Sequence, residues 1–176
     1  MEKFSMRSKG IDRAHELIIG YGNPLRADDG FGWRAARHLA ELLQDEPIEI
    51  LALHQLTPEL AEPISRADLI IFIDASSEGQ PGSWKCEPLE LNTAAGDSLA
   101  HHFTPRSLLA YAQAIFKVSP AALLVSVAGE SFGYCEQLTP RVETALQQII
   151  EHVAANRPPS GVNLCGLARG CCETAC

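Results

Sequence analysis

Five consecutive apolar residues, Leu69-Ile70-Ile71-Phe72-Ile73, run without interruption into a carboxylate, Asp74. No other stretch constrains the fold as strongly. A short run with no polar alternation is a strand covered on both faces, the condition of a parallel sheet sandwiched between helices. Leu17–Gly20, Ile48–Leu53 and Leu123–Val127 are further, mostly apolar strand candidates, with a weaker strand around Trp84–Leu91. Helical stretches alternate with them. Thr57-Pro58, Thr104-Pro105 and Thr139-Pro140 each offer a hydroxyl for an N-cap and a proline for the first helical position. After the last of these, Val142, Ala145, Leu146, Ile149, Ile150 and Val153 form one apolar stripe at helical spacing. Another helix is expected over Gly30–Leu43, with Ala36, Leu39, Leu42 and Leu43 inward. This alternation predicts a single α/β domain: a twisted, mostly parallel sheet of about five strands with helices on both faces.

The domain is expected to occupy residues 17–156, between an N-terminal extension at 1–16 and a cysteine-rich tail at 157–176. The tail opens with Pro158-Pro159-Ser160-Gly161 and has no apolar period with which to pack. Hydrophobic residues make up 46% of the 176 and charged residues 20%, which excludes a wholly disordered chain. The net charge of −8 argues against a nucleic-acid partner. No apolar run approaches the roughly 20 residues that cross a bilayer. Met1–Arg7 lacks the apolar core of a secretory signal, so a cytoplasmic protein with no membrane partner is expected. In that compartment the cysteines are not a disulfide framework. Cys86 and Cys135 stand alone, and Cys165, Cys171, Cys172 and Cys176 lack C-x-x-C spacing.

Open parallel sheets place their chemistry beyond the carboxyl ends of the strands. Three loops therefore matter. The first, after strand one, is Gly20-Tyr21-Gly22-Asn23-Pro24-Leu25, followed by Asp28-Asp29-Gly30. It fails as a dinucleotide fingerprint, because Leu25 stands where a third glycine is needed. The paired acids read either as a helix N-cap or as a surplus of charge that a cation would neutralise. Asp74, at the end of the apolar strand, either binds its own turn backbone or faces the crevice. Gly129-Glu130-Ser131-Phe132-Gly133 matches the G-x-S-x-G of serine hydrolases. The next helix start waits until Thr139, however, and His152 is the only histidine downstream. His101-His102 precede the Thr104 cap; with two carboxylates, one imidazole would complete a site for a borderline divalent cation.

The segments IIGYGNPLRADDGFG, DLIIFIDAS, HHFTPRSLLAYA and LLVSVAGESFGYCEQLTP together resemble the hydrogenase maturation protease family. These endopeptidases trim the C-terminal extension from nickel-hydrogenase large subunits. The resemblance runs from Leu17 to His152 and implies the same α/β fold. It implies that Asp29, Asp74 and His102 are both the catalytic and the metal-binding residues of an aspartyl-type endopeptidase, with His101 as a lesser alternative. The nickel is expected to arrive on the substrate, the large-subunit precursor, with no resident organic cofactor. Water would attack the peptide bond, polarised by the metal or deprotonated by a carboxylate. Many members carry an Asp-Gly-Gly-Thr-like segment after the second strand. This chain has Leu53-His54-Gln55-Leu56-Thr57-Pro58-Glu59, similar to proteases that serve cytoplasmic bidirectional hydrogenases, which makes His54 and Gln55 candidate specificity residues. A serine hydrolase built on Ser131 and a nickel checkpoint that cuts nothing are the competing readings.

Overall fold

Strands form where the apolar runs stand. A computed structural model describes residues 15–90 and 103–155. The strands are β1 (Glu16–Tyr21), β2 (Ile48–Leu53), β3 (Leu69–Ser76), β4 (Trp84–Pro88) and β5 (Ala121–Ala128). The helices are α1 (Phe31–Leu42), α2 (Ala61–Arg66), α3 (Pro105–Phe116) and α4 (Pro140–Ala155). The sheet order is β2-β1-β3-β5-β4, parallel throughout except for β4, which pairs antiparallel with β5 at the edge. The expected mostly parallel sheet of five strands with helices on both faces is therefore what the chain forms. The weak strand around Trp84–Leu91 is this edge strand, and it stops at Pro88, where a proline costs the ladder least.

The pleat sorts the strand residues into two cores. Ile18, Ile71, Ile73, Val125 and Val127 face α1 and α4, where they meet Phe31, Ala35, Leu39, Val142, Leu146 and Ile149. Leu17, Ile19, Ile70 and Phe72 face α2 and α3, where they meet Ile64, Leu108, Leu109 and Ala112. All six stripe residues of α4 are buried. Thr104 caps α3 as expected: it accepts from Ser107 N at 3.2 Å, and its own N–H donates to Ser107 Oγ at 2.8 Å. The other two Thr-Pro starts differ. Thr57 makes no cap bond to backbone, and its Pro58 opens a 3-10 turn ahead of α2. Thr139 gives its hydroxyl to Asp28.

Helix α1 departs from expectation at both ends. A 3-10 turn, Ala27–Gly30, precedes it, so the helix starts at Phe31. At the other end Leu42 is 58% exposed instead of buried, because the helix finishes there and turns its last residue away from the sheet. Leu43 does pack against the core. Gly32 lets the first turn of α1 sit on the strand ends, since a Cβ there would collide with the carbonyls of Tyr21 and Ile73.

Candidate active site

The chain leaves β1 toward β2 on one side, while β3 stands on the other side of β1. A crevice opens at the carboxyl ends of strands where the order reverses in this way. Gly20 pairs with Ile73 in the β1–β3 ladder, so the next residues, Tyr21 and Asp74, are neighbours at the edge of that crevice. The pleat turns Asp74 to the same side as Ile70 and Phe72, and Tyr21 to the side of Leu17 and Ile19. This is one and the same face, that of α2 and α3. Tyr21 donates its hydroxyl to Asp74. Asp74 also accepts from Ala75 N at 2.8 Å, so the turn-backbone bond considered from sequence exists alongside the crevice position.

Burial pushes the Asp74 carboxyl from its ordinary 3.8 up to about 6; the bonds from Tyr21 and Ala75 oppose this rise, and the nearby charge of Asp29 adds to it. Burial, and then the charge of Asp74 and the bond to it, raises the Tyr21 phenol well above its usual range, so it stays a donor. The influence of Asp29 on Asp74 places the two acids in one electrostatic neighbourhood. Asp29 Oδ2 accepts from Asn23 N at 3.0 Å, which closes the loop after β1 onto the acid. Gly22 makes that closure possible. Its φ is +134°, and a Cβ would strike the carbonyl of Asp29.

The adjacent acid is used otherwise. Asp28 is fully buried, and its carboxylate accepts from Glu130 N at 2.8 Å and Ser131 N at 3.0 Å. It accepts also from Thr139 N at 2.7 Å and Thr139 Oγ1 at 3.0 Å. Neither acid caps α1, which has no side-chain cap bond. The N-cap reading of the doublet thus fails for α1, and four donors satisfy the Asp28 carboxylate from within the protein. Further bonds tie the same two segments. Ala27 N donates to Cys135 O at 2.6 Å and Cys135 N to Leu25 O at 3.1 Å, while the Arg26 guanidinium reaches Phe132 O at 3.2 Å. Arg34 bonds the carbonyl of Glu136.

The G-x-S-x-G segment is therefore a loop moulded around Asp28, not a strand-to-helix elbow. His152 stands twelve residues into α4, ~18 Å along the axis from Pro140, with its ring 5.2 Å from that of Trp84. It cannot serve Ser131 as a base. His54 and Gln55 are exposed just beyond the end of β2, where Gly22 N bonds Leu53 O at 3.1 Å. His101, His102 and the tail cysteines Cys165, Cys171, Cys172 and Cys176 lie outside the described residues. Phe103, next in the chain after His102, packs on the same core cluster as Tyr21. Among the described residues, no three His, Cys, Asp or Glu side chains form a group that could hold a metal ion. No described helix is long and apolar enough to cross a membrane. Sequence reasoning missed Tyr21 and the role of Asp28. The strand register exposes the first; no local signal marks the second.

A five-stranded, mostly parallel sheet with an acid pair at its switch point defines an α/β protein with an acidic crevice. Solved structures that share this fold include several hydrogenase maturation proteases, so the resemblance seen in the sequence holds in three dimensions. The NiFe hydrogenase maturation protease HycI from Thermococcus kodakarensis KOD1 superimposes with a TM-score of 0.68 at 23% identity, over 82% of this chain and 92% of that one. The hydrogenase maturating endopeptidase HybD from E. coli gives 0.64 at 25% identity, over 80% and 90%. An endopeptidase from Escherichia coli gives 0.65 at 26% identity, over the same shares. No protein-family model matches the sequence, and no curated protein sequence does.

Proposed function

We propose that this chain is an endopeptidase that removes the C-terminal extension of a nickel-hydrogenase large-subunit precursor, with the nickel carried by that precursor as its anchor. One observation carries the reading: Asp29 and Asp74, 45 residues apart in the sequence, share one electrostatic neighbourhood at the switch-point crevice of this fold. Asp29, Asp74 and His102 would grip the substrate's nickel and so place one peptide bond in the crevice. Nickel bound there supplies polarisation of the scissile carbonyl or of a water. Of the chain's own groups, Tyr21 orients Asp74 by its hydroxyl bond, and Asn23 orients Asp29 through its N–H. An ionised Asp74 is required to hold a cation. Near neutral pH that form predominates, since its pKa of about 6 lies below. The protein would act in the cytoplasm, without nucleic acid or membrane.

The deciding experiment incubates the protein with nickel-loaded and nickel-free precursor and reads intact masses. The proposal expects a truncated product from the loaded precursor alone. Cleavage of both forms would point to Ser131 chemistry, and cleavage of neither, with nickel-dependent binding, to a checkpoint protein.

A further inference from the structure

We propose that Asp28 is a positioning residue of this site: its buried carboxylate pins the loop after β5 and the start of α4 to the turn that carries Asp29, and so fixes Asp29 beside Asp74. The inference rests on the proposed role of Asp29. Four donors meet the Asp28 carboxylate, from Glu130, Ser131 and, twice, Thr139. The Asp28 N–H in turn donates to Ser131 O at 3.0 Å, so the residue is held through backbone and side chain alike. Asp29 follows at the next Cα, ~3.8 Å away, with its own N–H on Arg26 O at 3.0 Å. Any displacement of Asp28 is therefore passed to Asp29.

A second observation agrees. Ala27, 2% exposed, holds a φ of +45°, in the left-handed region that a non-glycine residue enters only at an energetic cost. Such a backbone persists only where its surroundings over-determine it. Here the bonds from Ala27 N to Cys135 O and from Arg26 to Phe132 O do so. Stability alone does not explain the arrangement, because well-packed apolar groups often match or exceed buried charges in stability. What a charge with four directed donors adds is a fixed geometry.

The test uses the full chain and nickel-loaded precursor. Asp28→Asn turns an amide NH2 toward at least one N–H donor and should lower kcat roughly 100-fold, the scale of an ångström-level misplacement. Ile149→Ala, near the far end of α4, serves as a control, assayed with Asp28→Asn at a temperature where both are folded; it should keep kcat within about twofold. Thr139→Val, which removes one hydroxyl donor, should lower kcat about tenfold, and Thr139→Ser should restore it. Amide exchange gives a readout independent of catalysis. Asn23 N–H, bonded to Asp29 Oδ2, should exchange about tenfold faster in Asp28→Asn, and the control should accelerate it only in step with the other amides. Equal kcat in Asp28→Asn and the control, or unchanged Asn23 exchange, overturns the inference. If Asp28→Asn does not fold, the Thr139 pair decides by the same two readouts. If the parent cleaves no precursor, the proposed function fails by itself, and the Asn23 exchange decides the role of Asp28.

Discussion

Asp28 and Asp29 are one peptide bond apart and serve opposite ends. Behind the turn, Asp28 is fully buried and met by four donors, so its charge is spent inside the protein. In front of the turn, Asp29 is partly exposed, accepts from Asn23 N, and lies near a second acid. An acidic doublet therefore carries no fixed meaning. The number of donors aimed at each carboxylate decides which one closes the structure and which stays partly exposed.

The largest expected effect falls on the crevice side. Asp29→Asn, Asp74→Asn and His102→Ala should each abolish precursor processing while changing stability by no more than about 1 kcal/mol, as intact-mass assays and thermal melts would show. A variant that still cleaves like the parent removes that residue from the site. Behind the turn the pattern should reverse. Asp28→Ala leaves four donors without their acceptor and should cost roughly 4 kcal/mol, seen as a fall of about 10 °C in Tm. A melt unchanged from the parent would erase the distinction between the two acids.

Smaller effects sharpen the contrast. In the substrate-free protein, a carboxyl NMR titration should place Asp74 near 6. Tyr21→Phe should raise that midpoint, because the hydroxyl favours the charged form, and Asp29→Asn should lower it, because a neighbouring negative charge is removed. The stability consequence has a definite sign. The folded state binds the Asp74 proton more tightly than the unfolded chain, so this group's favourable contribution is complete below about pH 4 and is lost as pH rises through 6. A titration midpoint unmoved by either change would separate Asp74 from its two neighbours. The smallest effect belongs to Ser131→Ala, which should keep cleavage within about threefold, whereas loss of a true nucleophile removes several orders of magnitude.

Much of this was legible in the sequence, for physical reasons that differ by element. Leu69–Ile73 and the other inner runs are recognisable because a strand covered on both faces is nearly all apolar. The stripe of α4 was complete because its period is intrinsic to the helix. Their place beyond the strand ends marks the Asp28-Asp29 pair and Asp74 as candidates, and only the family resemblance singles out Asp29 from its neighbour. Leu42 misled because hydrophobicity does not reveal where a helix ends within its last turn. Tyr21 stayed hidden because its partner is set by the β1–β3 register, which no local pattern encodes. Asp28 stayed hidden because its donors stand 102 to 111 residues further on.

That last separation has a consequence in time. Contacts this distant close late, since loop-closure entropy must be overcome before they form. On a ribosome the turn at Asp28 emerges long before Thr139, the residue that completes its set of donors. Until then Asp28 lacks two of its four donors, and the turn that carries Asp29 is only partly pinned. Nascent chains ending before α4 should therefore carry an unformed crevice. Completion of the crevice thus waits on the synthesis of α4.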